Sequence, residues 1–94
     1  MIEWTEQALR QLEQAHDYIA LSNSEEVAAR VTTQILDSVQ RLAPFPMSGR
    51  KGRVRGTREL VIANTPLIAT YTLVGEGIVI LALYHGARQW PGAF

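Results

Sequence analysis

The sequence predicts an α+β domain. A short N-terminal strand leads into an antiparallel two-helix hairpin, and the hairpin covers one face of a small twisted antiparallel sheet. Three observations carry this reading. Apolar residues recur every three or four positions through residues 8–42, the spacing of one helix face. From Thr57 the period becomes that of strands, with β-branched and aromatic residues concentrated in residues 67–74. Between the halves lies the stretch from Arg50 to Arg58, which holds five cations and no acid and follows Pro44 and Pro46.

The chain justifies each element in turn. Ile2 and Trp4 alternate with Glu3, as in a strand. Thr5 can cap a helix with its hydroxyl, and Glu6 suits the dipole of the first turn. Ala8, Leu12, Ala15 and Ile19 form the buried stripe, which Leu9 and Tyr18 widen; the helix should end near Ala20 or Leu21. Ser22-Asn23-Ser24-Glu25 fits a capping box with Ser22 as the cap. The second stripe is Val27, Val31, Ile35, Val39 and Leu42, and Pro44 stops it. The short join between helices implies an antiparallel hairpin. The basic stretch reads as a loop that enters the first meander strand, Arg58 to Ala63. Asn64-Thr65-Pro66 is a turn. Leu67 to Val74 is the middle strand, Gly75-Glu76-Gly77 the hairpin turn, and Ile78 to Tyr84 the last strand. Short loops favour an antiparallel order.

Composition bounds the function. Ninety-four residues, 47% of them apolar, make one globular domain over residues 1–94. The absence of cysteine excludes disulfides and thiolate metal sites. Met1-Ile2-Glu3-Trp4 shows neither a basic nor an apolar leader region, and no apolar run approaches the ~20 residues of a membrane span. A cytoplasmic protein with no membrane partner is expected. The net charge of zero conceals a split. Residues 1–49 carry three cations and seven acids, and residues 50–94 carry six cations and two acids. Proteins that clamp long phosphate backbones are usually basic overall, which this chain is not. Charge asymmetry of this kind marks either two solvated faces or an acidic partner.

Several residues carry potential chemistry. His85 suits a general acid or base, although a strand-end histidine also serves as a plain hydrogen-bond partner. Arg88 suits a phosphate, an acidic partner or an acid of the first helix. Trp90 suits base stacking, a protein contact or a lid on the core. Tyr71 and Tyr84 lie in strands, where aromatic residues are common core members. His16, beside Asp17, reads as a helix-surface residue. No His, Asp and Glu cluster has metal-ligand spacing, and no metal or other cofactor is expected. The glycines from Gly49 to Gly56 lack the Lys-Ser/Thr ending of a phosphate loop.

The helical hairpin ending in Leu42-Ala43-Pro44-Phe45-Pro46 is followed by Gly49-Arg50-Lys51-Gly52-Arg53-Val54-Arg55-Gly56-Thr57-Arg58-Glu59-Leu60. A Tyr71-centred strand comes next, and Tyr84-His85-Gly86-Ala87-Arg88-Gln89-Trp90-Pro91 closes the chain. In this order the chain resembles the RelE/ParE superfamily of bacterial toxins from type II toxin–antitoxin modules, which includes the plasmid stabilisation family. The resemblance covers nearly the whole chain. It implies a helix hairpin on a small antiparallel sheet, and a growth inhibitor held in check by a cognate acidic antitoxin that wraps it. The toxin–antitoxin complex is then a hetero-oligomer, and a toxin homodimer is left open.

The superfamily divides by mechanism. ParE-like members inhibit DNA gyrase and need no catalytic residues. RelE-like members are mRNA interferases, endoribonucleases that cut messenger RNA on the ribosome. Such cleavage needs a group to activate the 2′-hydroxyl, cations for the charge developing on phosphate, and an acid for the leaving oxygen. Aligned on Tyr71, the arginine position typical of RelE-like enzymes falls on Ile68, and the lysine positions fall near Glu59 and Val61. Residues 59–83 contain no Lys, Arg or His. The resemblance therefore favours a ParE-like gyrase inhibitor. The alternative is a RelE-like nuclease using Arg58, His85, Arg88 and Tyr84, and a third possibility is a binding module that only joins its partner in a repressor complex. Under all three, Arg50, Lys51, Arg53, Arg55, Arg58, Arg88 and Trp90 are the expected partner-binding residues.

Overall fold

A computed structural model of the chain describes residues 1–86. Seven elements follow one another: β1 (Ile2–Trp4), α1 (Glu6–Ser22), α2 (Glu25–Gln40), β2 (Arg50–Lys51), β3 (Arg58–Val61), β4 (Leu67–Val74) and β5 (Gly77–His85). The five strands form one sheet in the order β1-β5-β4-β3-β2. The β3-β4-β5 meander is antiparallel, as expected, and β2 continues it antiparallel to β3. β1 differs from the rest in lying parallel to β5, so the sheet is mixed. The connection between these parallel partners runs through the α1–α2 hairpin and the other three strands.

The helix caps explain the hairpin. Thr5 Oγ1 accepts the Ala8 amide at 3.1 Å, satisfying a donor of the first turn. The α1–α2 junction departs from the expected capping box. Ser24, not Ser22, caps α2, accepting the Val27 amide at 3.1 Å. Ser22 belongs to the last turn of α1, where its hydroxyl donates to Tyr18 O at 2.7 Å. Both serines satisfy the local pattern, and a single extra residue of α1 decides between them.

The core lies between the hairpin and one face of the sheet. Ala8, Ile35, Val39 and Leu42 meet Ile62, Leu67, Ala69, Tyr71, Ile78, Ile80 and Leu83 there. Ile2, Trp4, Leu12, Ala15 and Val31 pack around this centre. Leu9 and Tyr18 are exposed and do not widen the buried stripe.

A bulge breaks the β4–β5 register: Thr70 pairs with Ala82 but Tyr71 pairs with Ile80, leaving Leu81 extra on β5. Helix α1 and its cap absorb the freed backbone groups. Thr5 Oγ1 donates to Leu81 O at 3.2 Å, and Gln11 Oε1 accepts the Leu83 amide at 2.8 Å.

Tyr71 ties the segment after α2 to the sheet. It is 0% exposed. Its hydroxyl donates to Pro46 O at 2.8 Å and accepts the Gly49 amide at 2.9 Å. Gly49 is required for this approach, because a Cβ there would stand 2.6 Å from the Tyr71 oxygen. Tyr71→Phe would leave a buried N–H and a carbonyl without their partner. Urea unfolding should show a loss of about 2 kcal/mol; an unchanged midpoint would mean that the clamp contributes nothing.

Candidate partner-binding surface

The expected basic loop is a short hairpin. Arg50 pairs with Glu59 and Lys51 with Arg58 across β2 and β3. Two-residue β2 is too short to show a period, so the sequence reads as a loop. Gly52 N donates to Thr57 O at 2.8 Å, and Thr57 N donates to Val54 O at 3.1 Å. Gly56 adopts φ +82°, the left-handed conformation that glycine permits. Thr72 Oγ1 donates to Gly56 O at 2.8 Å, fastening the turn to β4.

Alternation along the strands sends neighbouring side chains to opposite faces. Leu60 packs against the core, so Glu59 points to the face without helices. Glu59 is only 3% exposed there. Its carboxylate pairs with the Arg50 guanidinium at 3.1 Å and accepts the Arg53 amide at 3.4 Å. Arg50 itself keeps 59% of its side chain exposed. Thr70, opposite Glu59, and Tyr84, opposite Ile68, share this face. Burial pushes the Tyr84 phenol above its ordinary value of 10.0, and the Glu59 charge adds to the rise. The Thr70 hydroxyl, Arg53 and Arg50 oppose it. Tyr84 therefore stays protonated at physiological pH.

Arg58 faces the other way. Its guanidinium donates to Gly49 O at 2.6 Å and Met47 O at 3.3 Å. His85 pairs with Leu67 and also lies on the helix side, at the end of the sheet. It borders a groove of about 740 Å³ formed with Gln11, Tyr18, Val31 and Pro66. Arg58 and His85 pair with β4 residues Tyr71 and Leu67, a separation of roughly 13 Å along the strand. Arg58, Tyr84 and His85 thus do not converge. Lys51, Arg53 and Arg55 do gather with Arg50 and Arg58 on the hairpin. Arg88 and Trp90 lie outside the described residues.

Glu59, buried and paired with Arg50, is the residue of this face that sequence reading missed. The signal was present: an acid within a basic stretch, flanked by Arg58 and Leu60 in a strand pattern. Among the described residues no group of His, Asp and Glu is arranged to hold a metal ion, and no helix is long and apolar enough to cross a membrane.

Two outcomes follow for this face. Arg50→Ala should destabilise the fold by about 3 kcal/mol, because it strands a buried carboxylate. Glu59→Gln should cost only about 1 kcal/mol, since Arg50 can turn to water. Equal losses in urea unfolding would show that the buried charge is not what Arg50 serves. For Tyr84 the raised pKa means that the folded state holds its proton more tightly than the unfolded state. Its contribution is complete below pH 10.0 and is lost as pH rises through the folded value. Tyr84→Phe should remove that decline from a stability–pH curve, and an identical curve in both proteins would refute the assignment.

With this geometry in place, comparison with known proteins is informative. Residues 2–90 match the family described as the ParE toxin of the type II toxin-antitoxin system, parDE. Y4kP of Sinorhizobium fredii, a protein whose name proposes a toxin, is 42% identical over 90 residues, which cover 96% of this chain and 92% of that one. The chromosomal ParDE toxin–antitoxin system of P. aeruginosa contains a chain that superposes with a TM-score of 0.82 at 26% identity, covering 89% of this chain and 92% of that chain. A chain of the intact E. coli RelBE toxin–antitoxin complex shares the fold, with a TM-score of 0.70 at 9% identity over 94% of this chain and 98% of that one. The matched span takes in both helices and all five strands, and the chain belongs to the ParE toxin family of type II toxin–antitoxin systems.

Proposed function

We propose that this ParE-family chain arrests growth by docking onto DNA gyrase, without cutting RNA, and is neutralised by an acidic antitoxin segment lying along Arg50–Arg58. The observation that carries the first part is the dispersal of the nucleolytic candidates. Arg58 and Tyr84 lie on opposite faces of the sheet, and Arg58 and His85 lie far apart along it. In-line cleavage of a phosphodiester needs its acid, base and cations within contact of one scissile group. The β4 strand adds no cation to either face. A target of this class places the chain in the cytoplasm, as part of a toxin–antitoxin hetero-oligomer.

The second reading, ribosome-dependent cleavage of messenger RNA, rests on the open face, where Arg50 and Arg53 stand near Tyr84. Its catalytic set would be Tyr84, His85, Arg58 and Arg88.

The test is tightly controlled induction in bacteria, with pulse-labelling of DNA and protein synthesis in parallel. An early fall in DNA synthesis with filamentous cells is expected. Protein synthesis collapsing first, with cleaved transcripts, would overturn the gyrase reading. Tyr84→Phe combined with His85→Ala should leave growth arrest intact. A nucleolytic mechanism would instead lose about a hundredfold or more in activity with an acid or base removed.

A further inference from the structure

The two faces of the β2–β3 hairpin are electrostatically unlike. On the open face Arg50 stands opposite Glu59 and is neutralised by it. On the other, Lys51 stands directly opposite Arg58, an arrangement that destabilises a strand pair. Glu59, next to Arg58 in the chain, points to the Arg50 face and away from Lys51 and Arg58. Lys51, Arg55 and Arg58 surround a recess of about 370 Å³, completed by Gly52, Gly56, Thr57 and Leu73. No acid lines it. Among the described residues these three cations form no ion pair with a carboxylate.

The recess is also built. Arg58 is held by the carbonyls of Gly49 and Met47, which fix the guanidinium without cancelling its charge. The Thr57 hydroxyl donates to Val54 O at 2.5 Å. A Cβ on Gly52 would collide with Thr57 Oγ1, so the two walls are in contact and a larger residue there would have to displace the Thr57 hydroxyl. An anion entering the recess finds the Arg58 guanidinium already ordered, which lowers the entropic cost of binding.

We propose that this recess is a carboxylate site. It takes the side chain of an Asp or Glu from a partner peptide whose neighbouring residue is apolar. Leu73, 39% exposed on the rim, supplies the contact for that neighbour. Nucleic acid fits less well. No aromatic residue lines the recess to stack a base, and the chain as a whole is neutral. The inference deepens the proposed neutralisation by an acidic antitoxin segment and rests on it for the partner's identity. It assigns the contact to the Lys51, Arg55 and Arg58 side of the hairpin and not to the Arg50 side.

The test titrates the purified full chain with a short peptide of alternating Glu and Leu, followed by amide NMR shifts. Shifts should centre on Gly52, Gly56 and Thr57. The same peptide with Gln for Glu should bind about tenfold more weakly or worse. Lys51→Gln with Arg55→Gln, both exposed positions, should weaken the Glu peptide by about tenfold. Arg30→Gln with Arg41→Gln removes the same charge from α2 and the turn after it, and should leave affinity within about twofold. Equal losses from the two pairs would reduce the effect to net charge and overturn the site. So would absence of binding, or a single-stranded RNA oligonucleotide that displaces the peptide and depends more strongly on Lys51 and Arg55. Growth arrest in cells is scored separately. A chain that binds the peptide through the recess but arrests nothing would sink the toxin reading alone, and one that arrests growth without binding would sink the recess alone.

Discussion

The hydroxyl of Tyr71 decides how the two halves of this protein meet. It lies at the centre of β4, within the core, yet reaches the chain between the helices and β2. Leu42 anchors the end of the helical half in the same core. From Pro46 to Gly49 the backbone is then pinned from both sides, by Tyr71 and by the Arg58 guanidinium. That restraint brings Arg50 and Lys51 into register with β3. A basic segment that would otherwise repel itself is thereby presented as a fixed surface.

Charge is sorted by the pleat of the strands. Five cations follow one another closely in sequence, but alternation sends Arg50 to one face of the hairpin and Lys51 and Arg58 to the other. Glu59 attends to one face only. Its burial has a cost that the Arg50 pairing and the Arg53 amide offset. Burial, with the same carboxylate adding to it, raises the proton affinity of Tyr84 across the strands, so its phenol stays protonated at neutral pH.

The helices and the long strands were legible because their patterns extend over many residues. The stripe from Val27 to Leu42 and the strand from Leu67 to Val74 each repeat often enough to override local ambiguity. What escaped was short or relational. A two-residue strand has no period. The parallel partner of β1 lies at the far end of the chain, and nothing in Ile2-Glu3-Trp4 encodes the direction of pairing. Ser22 and Ser24 have the same capping chemistry, and the length of α1 chooses between them. The candidate surface was half legible. The cations announced it, but which of them Glu59 would neutralise depended on which way residue 59 pointed. The family resemblance supplied the fold and the toxin role as a whole, and it left the positions of Arg58, Tyr84 and His85 to the sheet's geometry.

The strand order has a consequence for how this protein behaves in a crowded cell. The longest strands, β4 and β5, are interior, while the two rims of the sheet are β1, of three residues, and β2, of two. Little unpaired backbone is therefore offered to another copy, and the cations of β2 guard one rim further. A sheet whose borders are nearly closed leaves few backbone groups for edge-to-edge association between copies.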